Sequence, residues 1–147
     1  MSGTRGINPQ RCADPQEVGM IQTIDHVSIN VGDLSRSIDF YCNKLGFKVS
    51  RTMDTPDLDI VFVQLATSSL ELIARKGGSA APKTAPSPAG TGLAHVALRV
   101  SDIDEVFSQL KKKGIEFSSP PYDANGGPRI AFFSDPDGVL LELIQWQ

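Results

Sequence analysis

The 147-residue chain is poor in several features on which whole classes of protein depend. It has no run of about 18 apolar residues, so we expect no membrane span. Met1–Asp14 lack the apolar stretch of a secretory signal. The two cysteines, Cys12 and Cys42, are far apart and have no CxxC spacing, which favours a reducing, cytoplasmic location. With two histidines only, His26 and His95, any mechanism that needs three is excluded.

A strong net charge is missing as well. The formal net charge is −3 and the sequence pI is about 5.3, which gives no field for gathering nucleic acid. The one basic run, Lys111–Lys113, is short and more typical of a solvated helix end. The 40% hydrophobic content is that of an ordinary globular protein, with one compact domain or two small modules that share a core. We therefore expect neither a nucleic-acid partner nor a membrane one.

What the sequence does contain is an internal repeat. Ile24–Leu34 matches Leu93–Ile103, and further along the chain Leu70–Ile73 matches Leu141–Ile144 in the same order. The corresponding polar residues are His26 with His95, Asp33 with Asp102, and Glu71 with Glu142. Two matching blocks in one order are unlikely to arise by chance, so we interpret the chain as a tandem duplication.

Each copy has the pattern of a strand, a helix and three further strands. Residues 22–31 and 92–100 alternate between apolar and polar side chains, as half-buried strands do. Asp33 and Asp102 are placed as N-caps of the helices, which we expect to end at Gly46 and Gly114. The apolar stripe of the first helix comprises Leu34, Ile38, Tyr41 and Leu45. The remaining strands are predicted at 47–52, 59–65, 69–74, 115–118, 129–134 and 139–145, with a turn at Asp135–Gly138 before the last.

These patterns predict an α+β fold of two tandem βαβββ modules. We expect residues 1–20 to form a loose N-terminal arm, 21–74 the first module, 75–91 a linker rich in proline, glycine, alanine and serine, and 92–147 the second module. Neither module is large enough to bury a stable core alone, so the two together should form one domain.

The repeated histidines and glutamates are the candidate functional residues. Strand alternation turns His26 away from the apolar face, and Glu71 lies between two leucines, where a mid-strand carboxylate is costly unless paired or bound to a metal. Taken singly, a strand histidine is more often a core or surface residue, and Leu-Glu-Leu is usually a strand with one solvated face. The duplication favours one shared metal site, since two imidazoles and two carboxylates suit a divalent first-row ion. Its ligands would be His26, Glu71, His95 and Glu142.

Several motifs resemble those of the vicinal oxygen chelate (VOC) superfamily. They are Val31–Tyr41, Lys44–Phe47, Gly92–Leu98, Asp135–Gly138 and Leu141–Ile144. This superfamily includes glyoxalase I, methylmalonyl-CoA epimerase, extradiol dioxygenases, and fosfomycin- and bleomycin-resistance proteins. The resemblance covers residues 22–145 and is closest to the short bacterial glyoxalase I sequences.

The resemblance implies a half-open barrel around a metal site. The family's ligands fall on His26, Glu71, His95 and Glu142, and the ion would be Ni²⁺, Co²⁺, Zn²⁺ or Mn²⁺. Family members are commonly homodimers. Bacterial glyoxalase I takes the ligands of each site from both subunits, whereas epimerases build the site within one chain, and the sequence leaves this choice open.

The resemblance also implies a lyase or isomerase of the lactoylglutathione lyase type, which transfers a proton next to a carbonyl through a metal-stabilised enediolate. Glu142 is then the expected base and Glu71 its counterpart across the metal. Glyoxalase I binds the glutathione carboxylate through Arg and Asn four residues beyond two of its ligands. Asn30 and Arg75 occupy those positions here with the types exchanged, so they are either substrate-binding residues or ordinary polar groups at strand ends.

Three alternatives to glyoxalase I remain at this point. A methylmalonyl-CoA epimerase would use the same ligands on a CoA ester instead of a thiol conjugate. A bleomycin-resistance-like protein would sequester a ligand without metal, although such proteins usually lose the ligands that this chain retains. An extradiol dioxygenase is the least favoured, because the chain has no third histidine and Glu71 would crowd the open coordination positions.

Overall fold

The computed structural model describes residues 23–77, 92–124 and 127–147. The predicted N-terminal arm (1–20) and most of the predicted linker (75–91) lie outside the described residues, as do Cys12 and the pair 125–126. No helix in these three described ranges is long and apolar enough to cross a membrane.

Both repeats fold as strand, helix and three strands, and the expected α+β class is confirmed. The first contains β1 (Val27–Asn30), α1 (Leu34–Ile38), a π-helical segment (Asp39–Lys44), β2 (Lys48–Asp54), β3 (Leu58–Leu65) and β4 (Ser68–Arg75). The second contains β5 (Val96–Arg99), α2 (Ile103–Lys112), β6 (Tyr122–Asp123), β7 (Arg129–Ser134) and β8 (Leu140–Gln145). Because β4 includes Arg75, the strand runs one residue into the predicted linker.

The strands form two separate four-stranded sheets, in the orders β1-β4-β3-β2 and β5-β8-β7-β6. The pairs β1/β4 and β5/β8 are parallel, and the other pairs are antiparallel. Each sheet therefore places its first strand, which follows a histidine, at an edge beside its last strand, which carries a glutamate.

The helix ends lie where local sequence signals place them. The Asp33 carboxylate accepts a hydrogen bond from the Arg36 amide at 2.9 Å, and Asp102 accepts one from the Glu105 amide at 3.0 Å, so both N-caps are confirmed. Gly46 ends the first helical region in the left-handed conformation, with a φ of 86° that other residues rarely adopt.

The first helical region differs from the predicted stripe because its second half is π-helical. The Leu45 amide donates to the Phe40 carbonyl, five residues back, at 3.1 Å. This wider turn lets the adjacent residues Phe40 and Tyr41 both be buried, whereas the regular stripe included Tyr41 alone. Phe40 contacts Phe133 of the second module, with ring centroids 6.4 Å apart.

The predicted strand at 115–118 is wrong. Phe117 forms only an isolated bridge with Phe133, and the short β6 lies further along the chain. The reason is that Pro120 and Pro121 follow closely, and prolines have no N–H to continue a ladder of hydrogen bonds. The chain therefore leaves the sheet after one bridge and rejoins it at Tyr122.

The two modules share one core and a polar contact at its border. The buried cluster takes Ile29, Phe40 and Leu72 from the first module and Ile103, Phe133 and Leu143 from the second. Beside it, the Tyr41 hydroxyl donates to the Asp135 carboxylate at 2.9 Å, and Arg36 pairs with Asp137 at 2.8 Å. The Asp135–Gly138 turn, predicted as a local feature, thus docks the second module onto the first helix.

Candidate metal centre

The first module brings His26 and Glu71 together. His26 directly precedes β1, and Glu71 lies on β4 with its Cα paired to that of Ser28. The parallel register turns both side chains to the face away from the core. His26 Nε2 and Glu71 Oε2 are 3.4 Å apart, and the Glu71 side chain is 14% exposed.

The second module repeats this arrangement with His95 and Glu142. Glu142 lies on β8, and its Cα is paired to that of Ala97 on β5. His95 Nε2 and Glu142 Oε2 are 3.0 Å apart, and the Glu142 side chain is only 8% exposed. The correspondence deduced from the repeat thus extends to the geometry of the two pairs.

An aromatic ring accompanies each pair, and for both rings the sequence left open whether they line the cavity or pack in the core. Phe62 stands opposite Glu71 in the ladder and packs edge-on against His26 at 5.3 Å. Phe132 stands opposite Glu142 and packs against His95 at 5.7 Å. Their equal places in the two repeats were a signal in the sequence. Each ring covers one side of its imidazole and so limits the orientations that the histidine can adopt.

The contacts around the two pairs are not alike. Asp25 Oδ2 lies 2.7 Å from His26 Nδ1, which leaves Nε2 as the nitrogen that faces Glu71. This hydrogen bond raises the pKa of His26 above its ordinary value. The Ser28 hydroxyl donates to Glu71 Oε2. The second module has alanine at both corresponding positions, Ala94 and Ala97.

The two pairs do not form one group within the part of the chain that the structure describes. There, no set of three or more His, Cys, Asp or Glu side chains is close enough to hold a single ion. The strands β1 and β5 are edges of their sheets, so each pair lies next to a sheet edge.

The residues of each pair nevertheless fit a divalent first-row ion. Imidazole nitrogen and carboxylate oxygen are donors that such ions accept. Two adjacent ligands with bonds of about 2.1 Å stand about 3 Å apart, which is close to the separation of the donor atoms in both pairs. His26, Glu71, His95 and Glu142 would hold the ion.

The candidate substrate-binding residues lie beyond these pairs along the same strands. Asn30 ends β1 and Arg75 ends β4, and both are exposed. Arg99, which the sequence analysis did not select, ends β5 in the position corresponding to Asn30, four residues after a histidine. His26 and Arg99 line the same cleft, whose volume is about 980 Å³.

Comparison with known proteins identifies the family. Residues 23–143 match the model of the Glyoxalase/Bleomycin resistance protein/Dioxygenase superfamily. The chain belongs to this superfamily. Relatives of this glyoxalase superfamily member include a probable lactoylglutathione lyase of Synechocystis, 35% identical over 82% of this chain and 92% of that protein. The lactoylglutathione lyase of Escherichia coli O157:H7 is 33% identical over 82% of this chain and 90% of that protein.

Solved structures of the superfamily agree with the fold. A glyoxalase family protein from Enterococcus faecalis matches with a TM-score of 0.71 and 34% identity, over 84% of this chain and 97% of that one. TnmS3, an antibiotic binding protein from Streptomyces, matches with a TM-score of 0.68 and 25% identity, over 87% of this chain and 98% of that one. A glyoxalase family protein and an antibiotic binding protein thus share this architecture.

Proposed function

We propose that the protein is a metal-dependent glyoxalase I-like lyase of the lactoylglutathione lyase type. The observation that carries the proposal is the duplicated His–Glu pair, with donor atoms 3.4 Å apart in one module and 3.0 Å in the other. A metal-free binding protein has no need for two such pairs. The lactoylglutathione lyases among the relatives support the same activity.

The complete site, in this proposal, is shared by two chains. Each chain offers one pair beside the edge strand β1 and another beside the edge strand β5. In a two-fold homodimer, the β1 edge of one chain meets the β5 edge of its partner, which brings all four ligands together twice. Each His–Glu pair is then one half of a metal site, a half-site. This arrangement accounts for the separation of the two half-sites within the described part of one chain.

The chain's own residues have separate tasks. His26, Glu71, His95 and Glu142 would hold the divalent ion, Ni²⁺, Co²⁺, Zn²⁺ or Mn²⁺, which would polarise the substrate's oxygens. Glu142 removes a proton from the carbon next to the carbonyl and returns it to the neighbouring carbon. Its side chain is only 8% exposed. Phe62 and Phe132 hold the imidazoles in place.

The substrate is a small carbonyl compound joined to a larger thiol carrier. In this proposal Arg75 and Asn30, at the ends of β4 and β1, bind a carboxylate of the carrier, since a guanidinium holds a carboxylate with two hydrogen bonds. The hemithioacetal of glutathione and methylglyoxal is the first substrate to test. A CoA ester, as in methylmalonyl-CoA epimerase, is the second substrate to test. The cytoplasmic location stays a prediction.

Metal analysis tests the site directly. We expect about one divalent ion per chain in the wild type, and loss of most of it in His26→Ala and in His95→Ala, because each variant removes one of four ligands. Gln109→Ala, on the exposed face of α2, is the control and should keep the metal. Unchanged metal content in both histidine variants would show that the proposed site is wrong.

Turnover assays on the metal-loaded protein test the reaction. Activity on the glutathione hemithioacetal supports the proposal, and activity on methylmalonyl-CoA alone would replace it with the epimerase. A protein that binds small molecules tightly but takes up no metal would be a sequestering protein of the bleomycin-resistance kind. Oxygen uptake with a catechol would overturn the reaction class.

A further inference from the structure

The two His–Glu pairs are alike in residue type but not in what holds the carboxylate. In the first module the Ser28 hydroxyl donates a hydrogen bond to Glu71 Oε2. In the second module Ala97 occupies the corresponding place, with its Cα paired to that of Glu142 just as Ser28 is paired to Glu71. The register is the same, so the difference is one hydroxyl group.

That hydroxyl has a physical consequence for the carboxylate. A hydrogen bond from a neutral donor to an ionised acceptor is stronger than one between neutral groups, and it fixes the acceptor's orientation. If Glu71 rotated away, the hydrogen bond from Ser28 would be lost. Glu142 faces a methyl group at that position, so its rotation breaks no such bond.

The histidines show the same imbalance. Asp25 accepts a hydrogen bond at His26 Nδ1, and outer contacts of this kind orient metal-binding imidazoles. Ala94 offers no equivalent to His95. In the first module, both the histidine and the glutamate of the pair are therefore held by a hydrogen bond with a neighbouring side chain. In the second module, alanines occupy both of those neighbouring positions.

We infer that Ser28 is a positioning residue that holds Glu71 as a permanent metal ligand and leaves Glu142 as the carboxylate that changes partner during turnover. The inference rests on the proposed function and deepens it. The pseudo-symmetric ligand set is thereby made asymmetric by one side chain on β1, whose hydroxyl hydrogen-bonds to the Glu71 carboxylate.

Moving the hydroxyl from one module to the other tests this directly. In Ser28→Ala we expect metal affinity, measured as the Kd for Co²⁺ by competition with a chelator, to fall about 10- to 100-fold, as is typical when an outer contact of a ligand is removed. The visible spectrum of bound Co²⁺ should change as well, because a Glu71 carboxylate that is no longer held by Ser28 coordinates the ion differently.

The reciprocal variant should have the opposite signature. In Ala97→Ser we expect Co²⁺ affinity to be kept or to rise, because Glu142 gains a donor. The kcat at full metal occupancy should fall about tenfold, since a hydrogen bond that stabilises the ionised carboxylate makes Glu142 a weaker base. KM should change little, because the substituted position lies under the carboxylate and not at the carrier-binding residues.

Two controls separate positioning from folding. Ser28→Thr keeps the hydroxyl in a residue well suited to a strand and should restore wild-type affinity. Ser35→Ala makes the same chemical change at an exposed position of α1 and should alter neither quantity. The melting temperature of each metal-free variant shows whether the fold is intact.

The outcomes distinguish the two levels of the proposal. Wild-type metal affinity in Ser28→Ala, or wild-type kcat in Ala97→Ser, overturns the role of Ser28 while leaving the lyase intact. Loss of affinity in Ser28→Thr as large as in Ser28→Ala also overturns it. If the wild type itself neither binds Co²⁺ nor turns over the hemithioacetal, the proposed function fails and this inference fails with it.

Discussion

Glu142 lies between two leucines on β8 and is the least exposed of the four proposed ligands. An ionised carboxylate in such a place costs free energy unless a partner compensates for the lost hydration. The imidazole of His95 at 3.0 Å is one such partner, and a divalent ion would be a stronger one. A carboxylate that lies between apolar strand neighbours despite this cost in free energy is best explained by a role in metal binding or catalysis.

Replacing Glu142 with glutamine separates its two roles. Glu142→Gln keeps the size and one oxygen donor but removes the basicity, so we expect most of the metal to remain while the rate falls about 10²- to 10⁴-fold. Metal content, turnover and exchange of solvent deuterium into the substrate carbon measure these effects. Glu71→Gln is the matched variant and should lose more metal. Near-normal exchange in metal-loaded Glu142→Gln would move the base to Glu71.

The sequence predicts the four candidate ligands but not the hydrogen bonds around them. Strand alternation and the repeat were enough to select His26, Glu71, His95 and Glu142 as candidates, because both signals are visible without knowing how the strands pair. The donation from Ser28 to Glu71 depends on the parallel register of β1 with β4, across 43 positions of sequence. No local pattern specifies that register.

For the helices and strands too, features set by neighbouring residues were predicted and features set by distant contacts were not. The N-caps and the glycine C-caps are set by residues adjacent in sequence, and they were correctly predicted. The π-helical segment was not predicted, because it results from the burial of both Phe40 and Tyr41 against the other module. The displaced β6 had a local signal, Pro120 and Pro121, which the strand pattern at 115–118 outweighed.

The Asp135–Gly138 turn should contribute to stability through its contact with the first helical region. Tyr41→Phe removes the hydroxyl that donates to Asp135 and leaves a buried carboxylate with one partner fewer. We expect the free energy of unfolding to fall by about 1–3 kcal/mol. Urea denaturation measures it. Tyr122→Phe, at an exposed position of β6, is the control, and an equal effect there would contradict the assignment.

The buried carboxyl of Asp135 should make stability depend on pH. Burial raises the pKa of Asp135 above that of an unfolded aspartate, against the opposing effect of its hydrogen bonds. A group with a raised pKa in the folded state binds more protons there than when unfolded. Its contribution is therefore fully present below the ordinary carboxyl range of about 4 and is lost as pH rises through the folded pKa.

Asp135→Asn should remove this part of the pH dependence, since asparagine does not titrate. We expect the free energy of unfolding of the wild type, relative to that of Asp135→Asn, to decrease from about pH 4 upward. Urea unfolding at a series of pH values gives both curves. Asp57→Asn, at an exposed loop position, provides the background. A difference that stays constant with pH would mean that Asp135 does not titrate differently in the two states.

Within one chain, the polar and aromatic contacts between the modules include those of the first helical region with β7 and with the β7–β8 turn. This packing fixes the two half-sites on separate sheets, each beside an edge strand. In the proposed function, such a chain completes the ligand set with a second copy. Dimerisation and metal binding should then be one linked process.

Mixing two inactive variants tests this linkage. His26→Ala keeps the module-2 pair and His95→Ala keeps the module-1 pair, so a mixed dimer has one complete site and one that lacks both histidines. After subunits exchange in an equal mixture, about a quarter of the wild-type number of sites should be complete, by random pairing of two-fold dimers. Metal content and turnover should recover to that level in the mixture and in neither variant alone. A site built within one chain gives no recovery, because every chain in the mixture still lacks one histidine.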